Sequence, residues 1–189
     1  MDTAPRTGDQ AIALARFQSE NGPQFGVGLC LQRVRLLYGV GPVYADAAKA
    51  WAGAQLKHRT EVAAEIPRGV PVWWTGGRNG HGHVAIATGD GSCWSTDFRR
   101  PGFFDRVRID DITRAWALDF QGWSEDLNGV RVWSAPPPPD PTKTRGVLVD
   151  HAERDLEDAL ARAHRRGQVL RAARLQRVLR VLRRQIQAR

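Results

Sequence analysis

The first third of the chain places its apolar residues at helical spacing. Residues Gln10 to Glu20 describe a short amphipathic helix, which Asn21-Gly22-Pro23 brings to an end. A second pattern starts at Cys30 and runs through Leu31, Val34, Leu37 and Tyr38 before Gly39 and Gly41-Pro42 stop it. An Ala-rich stretch from about Tyr44 to Leu56 forms a third helix with Trp51 as its largest anchor.

The period then shortens to that of strands. Val70-Pro71-Val72-Trp73-Trp74-Thr75 is one strand, His83-Val84-Ala85-Ile86-Ala87-Thr88 a second, and Ser92-Cys93-Trp94-Ser95-Thr96-Asp97 a third. A fourth is expected at Arg106–Ile109, then a short helix through Trp116 capped by Asp110 or Asp111. Strand-like runs close the body at Leu118–Trp123 and Val130–Trp133. Helices followed by a meander of strands define an α+β class. If Gly89-Asp90-Gly91 is a three-residue hairpin loop, Thr88 pairs with Ser92, Ala85 with Ser95, and His83 stands opposite Asp97. A two-residue turn would instead aim Asp97 away.

Beyond Trp133 the composition changes. Pro136 to Pro139 and Pro141 suggest an extended linker, and residues 150–189 one long helix with acids at its start and arginines toward its end. Its apolar stripe is Leu156, Leu160, Ala163, Leu170, Val178, Leu182 and Ile186, interrupted at Gly167. The expected organisation is a body at 1–134, a linker at 135–149 and a basic helix at 150–189. Charge follows the same division. Residues 1–139 hold 15 Lys and Arg against 14 Asp and Glu, whereas residues 140–189 hold 13 against 6. A basic appendage attracts anionic polymer, with nucleic acid a less favoured partner, or docks to a protein. Two cysteines cannot build a disulfide scaffold. No apolar run is long enough to span a bilayer, and MDTAPRTGDQ lacks the basic start and apolar run of a secretory signal.

Cys30 carries the candidate chemistry. At a helix's first turn, unpaired amides and the helix dipole favour a thiolate, and Gly26 and Gly28 leave room for a substrate. A thiol nucleophile needs an imidazole to take and return its proton. Of the five histidines, His83 stands at the mouth of a strand, where the sheet would hold it, and Asp97 is the expected group to orient its ring.

Three segments resemble the CHAP and NlpC/P60 branch of papain-like cysteine peptidases: Gly28-Leu29-Cys30-Leu31, Ile66 to Trp74, and Gly82-His83-Val84-Ala85-Ile86-Ala87. The resemblance covers about residues 22–133. It implies a papain-like domain with N-terminal helices packed on an antiparallel sheet, and cleavage of peptidoglycan peptides as an endopeptidase or amidase without a cofactor. Such modules are frequent in phage lysins, which implies synthesis in the cytoplasm and action at the bacterial cell wall. The chain departs from both subfamilies. Leu29 and Leu31 flank the cysteine, Gln32 and Arg33 replace an aromatic signature, and Val70 stands where an Asp is usual. Gln24, six residues before Cys30, matches the spacing of papain's oxyanion-hole glutamine, with the Cys30 amide as the other donor.

Of Trp73 and Trp74, adjacent on a strand, one must point away from the other and is expected to line a substrate groove, with His81 facing substrate from its loop. Two alternatives stand beside the thiol enzyme. One is a zinc endopeptidase using His81 and His83 with Asp97, Cys93 or Asp46. The other is a non-catalytic phage structural or envelope-binding protein on a degenerate hydrolase fold.

Overall fold

The computed structural model describes residues 1–136, 141–165 and 168–187. It divides into two units, Met1–Ala135 and Pro136–Arg189.

The first unit opens with helix α1 (Gly8–Asn21), whose N-terminal cap is a reciprocal pair: the Thr7 hydroxyl accepts from the Gln10 amide, and the Gln10 side chain accepts from the Thr7 amide. Helix α2 (Cys30–Tyr38) follows, ended by Gly39 in the left-handed conformation, and then α3 (Ala47–Gly53), shorter than the sequence suggests because Ala54 turns extended. The strands are β1 (Lys57–His58), β2 (Pro71–Gly76), β3 (His83–Ala87), β4 (Ser92–Thr96) and β5 (Phe104–Arg108). Helix α4 (Ile109–Trp116) precedes β6 (Leu118–Ser124), β7 (Asp126–Leu127) and β8 (Val130–Arg131). Asp110 and Asp111 lie inside the first turn of α4; the capping position is Arg108, without a side-chain bond.

Six strands form an antiparallel sheet in the order β1-β6-β2-β3-β4-β5. The mixture of helices with an antiparallel sheet is the α+β class expected from the sequence. The β3–β4 hairpin has the three-residue loop: Thr88 N donates to Ser92 O at 2.9 Å, and Ala87 pairs with Cys93 and Ile86 with Trp94.

Side chains alternate across this sheet into two cores. On one face Trp73, Val84, Ile86 and Phe104 pack with residues of α1, α2 and α3, including Leu31, Val34 and Trp51. On the other, Val72, Trp74, Ala85, Cys93 and Val107 pack with Ile109 and Ile112 of α4. Both faces are therefore covered, which corrects the expectation for the tryptophan pair. Trp73 and Trp74 do point to opposite faces, yet each is 0% exposed and neither borders a groove. Each indole N–H finds a hydroxyl partner, Trp73 at Ser124 Oγ and Trp74 at Thr113 Oγ1, both at 2.9 Å.

The second unit differs from the single helix expected. It contains α5 (Pro141–Arg165) and α6 (Val169–Gln187), which pack on one another. The second half of the expected linker is helical, and α5 opens on Pro141, a residue suited to a first helical position because its missing N–H would have no partner there. The break between the helices shifts the phase of the apolar stripe. Ala163, Ala172 and Leu179 are buried, whereas Val178 is 48% exposed. Gln168 N donates to Ala163 O at 3.0 Å, and Arg183 of α6 pairs with Glu157 of α5. Pro137 to Pro139 and Gly167 lie outside the described residues. Among the described residues no helix is long and apolar enough to cross a membrane.

Candidate active site

Cys30 occupies the first position of α2, and the capping residue before it, Leu29, offers no side-chain hydrogen bond to the first turn. The first-turn amides therefore stay available to the sulfur. Leu31, Val34 and Leu37 bury the inner face of this helix and hold its start against the sheet. Gly28, with φ of 79°, turns the approaching chain in a conformation that a side chain would resist. The backbone of Val84, the residue after His83, lies close enough to the Cys30 sulfur to favour its anion. The nucleophile candidate thus sits at the mouth of β3.

His83 begins that strand and is buried, its ring 5.6 Å from Trp74 and 4.9 Å from Trp116 between centroids. Nε2 lies 2.8 Å from Ser95 Oγ. That hydroxyl donates its hydrogen to Thr96 O at 3.2 Å, so it accepts from the ring, which assigns the proton to Nε2 and leaves Nδ1 with a lone pair. A base needs that tautomer if it is to work through Nδ1. No hydrogen bond joins Nδ1 to Cys30 Sγ.

Burial dominates both ionisations. It pushes the Cys30 thiol up to about 11, against opposition from the backbone of Val84, Leu31 and Cys30, while the charge of Asp97 adds to the rise. It holds His83 down at about 3. At neutral pH the pair is a thiol beside an uncharged imidazole. This corrects the sequence argument, which weighed the helix terminus without the cost of desolvating a thiolate.

Cys30, His83, Asp97 and His81 all line one cavity of about 590 Å³. Its walls come from the 27–32 segment, the start of α3, the β2–β3 loop, and Trp116 with Leu118. Asp97, however, does not hold the His83 ring. The β3–β4 pairing stops at Ile86–Trp94, short of the expected His83–Asp97 pair, β4 ends at Thr96, and Asp97 adopts a φ of 65°. Its carboxylate accepts instead from Gly102 N at 2.7 Å and Gly28 N at 3.1 Å, tying the turn after β4 to the approach to Cys30. Gln24 belongs to the same tie. Its Nε2 donates to Pro101 O at 2.9 Å, and the residue is not among those lining the cavity. The expected oxyanion role for Gln24 therefore has no support in this geometry.

Ser95 is the functional candidate that the sequence reading passed over. The same hairpin count placed it on the His83 face, one diagonal pair away, within reach of a ring. His81 projects from its loop with Nδ1 3.7 Å from Asp46 Oδ2. Asp46 in turn caps α3 and pairs with Lys49 Nζ at 3.0 Å. Among the described residues no three His, Cys, Asp or Glu side chains are grouped to hold a metal ion, so His81, His83, Asp46, Asp97 and Cys93 do not assemble into the zinc alternative. Both cysteines are free, and burial raises the Cys93 thiol strongly.

Comparison with known proteins finds no matching family model, no matching curated protein and no matching solved structure. What can be said of function rests on the site itself.

Proposed function

We propose that this protein is a Cys–His hydrolase of cell-wall peptides, an endopeptidase or amidase on a papain-like domain, of the kind found in phage lysins. One observation carries the reading: a thiol at a helix's first turn and an imidazole at a strand's mouth open into the same cavity. Cys30 Sγ attacks the scissile carbonyl as His83 Nδ1 takes the thiol proton, so no thiolate need persist in the resting site. The carbonyl oxygen becomes an oxyanion, and the Cys30 amide is the donor placed to meet it. His83 passes its proton to the departing amine as the C–N bond breaks, leaving a thioester on Cys30. Water then attacks the thioester, giving a proton to His83 and releasing the acid and the free thiol. Ser95 keeps the ring in the working tautomer throughout.

The chemistry needs no cofactor, and its site of action is the bacterial wall. The arginines of α6 serve to hold the chain to an anionic polymer there. Six of them, Arg171, Arg174, Arg177, Arg180, Arg183 and Arg184, are exposed, and α6 contains no acidic residue.

Cys30→Ala should abolish the fall in turbidity of purified cell walls while circular dichroism and thermal midpoint stay close to wild type. Full activity in that variant sinks the proposal. The missing Sγ–Nδ1 hydrogen bond favours a second reading, a wall-binding protein on a hydrolase-like fold. It predicts that wild type itself leaves wall turbidity unchanged while still sedimenting with the walls.

A further inference from the structure

Arg78 is the guanidinium among the groups lining the cavity, and its situation differs from that of the two carboxylates there. Asp46 is offset by Lys49, and Asp97 is satisfied by two backbone amides. Arg78 and Asn79, both exposed, have no side-chain hydrogen bond or ion pair. With His81 they give the β2–β3 loop three nitrogen-bearing side chains on the cavity wall.

This loop is built to hold its shape. Gly80 N donates to Gly77 O at 3.0 Å and Gly82 N to Gly76 O at 3.2 Å, while His81 O receives Ala48 N at 2.8 Å. Gly82 has a φ of 65°, and a side chain there would strike the Trp74 carbonyl. The donors are thus presented from a fixed backbone, which lowers the ordering cost of binding a ligand. Apolar side chains also line the cavity: Val27 and Leu29, 66% and 36% exposed, with Trp116 and Leu118.

We propose that the β2–β3 loop is a carboxylate-binding subsite, in which Arg78, assisted by Asn79 and His81, selects peptides carrying a free carboxylate. The guanidinium grips the carboxylate in a charge-assisted, two-pronged contact, and the Val27–Leu29 wall receives aliphatic parts of the peptide. The inference rests on the hydrolase reading for its substrate, a wall stem peptide, but its test reads binding rather than turnover.

The test is calorimetric titration of the full chain carrying Cys30→Ala with an N-acetylated stem tetrapeptide, first with its carboxylates free and then fully amidated. The free form should bind on the order of tenfold more tightly, as a charge-assisted contact implies. Adding Arg78→Gln should erase most of that preference while leaving the amidated peptide's affinity unchanged, and 0.5 M salt should narrow it. Equal affinity for both peptides overturns the subsite, as does an Arg78→Gln variant that weakens both alike. Binding of neither peptide overturns it too, and wall turbidity with wild type then decides separately whether the hydrolase reading survives.

Discussion

At Cys30 two influences oppose one another, and burial is the larger. The uncapped start of α2 offers amides to the sulfur, yet the thiol stays protonated up to about 11 because its anion would lose water. Asp97 adds to the rise, so one carboxylate both ties the approach loop and opposes ionisation of the thiol. Iodoacetamide labelling of Cys30, followed on its peptide by mass spectrometry, should therefore climb steadily above pH 8 with its midpoint near 11. Asp97→Asn should shift that curve to lower pH. A midpoint near the ordinary thiol value of 9 in wild type would contradict the burial argument. His81 and Cys30 were legible from their sequence contexts. Ser95 was not singled out, because a serine on a strand carries no signal until the ring beside it is in place.

Among the elements, the β3–β4 hairpin was the most legible. Glycines on both sides of Asp90 set the three-residue loop, and the loop sets the register that follows. The counted register holds at Ala87–Cys93 and Ile86–Trp94; pairing stops there, and Asp97 reaches two amides that no strand period reveals. The C-terminal helices were harder. A run rich in Arg, Leu and Val reads as continuous helix, and only packing between two faces of one chain shows that α5 and α6 fold against each other. The consequence is a helix whose inner face is spent on α5 and whose arginines stay exposed. Replacing Arg174, Arg177 and Arg180 together by Gln should cut the fraction of protein sedimenting with purified walls severalfold in low salt. The difference should vanish near 0.5 M salt, where screening shortens to a few ångströms. Sedimentation that ignores both salt and these substitutions would remove α6 from the binding account.

For the body as a whole, covering both faces of the sheet places an ionisable ring inside it. His83 is held near 3, against an ordinary value of 6.5. The unfolded chain therefore takes up a proton below 6.5 that the folded chain refuses until about 3. The stability gained from a neutral His83 is complete above 6.5 and is lost as pH falls toward 3. Between pH 7 and about 4.5, where most carboxylates are still charged, this one group should remove about 2–3 kcal/mol. Urea unfolding at the two pH values measures it, and His83→Gln should show a markedly smaller loss. An equal loss in the variant would place the acid sensitivity elsewhere.

Local pattern was enough to determine the α+β class, the helix beginning at Cys30, the strand beginning at His83 and the hairpin register, because periodicity and glycine turns act between residues close in the chain. Which groups meet was decided only in three dimensions. The Ser95 contact to His83, the Asp97 tie to Gly28, the burial of both tryptophans and the neutral state of the thiol–imidazole pair all depend on water being excluded by segments far apart in sequence. Desolvation belongs to the assembled fold, so no reading of neighbouring residues contains it.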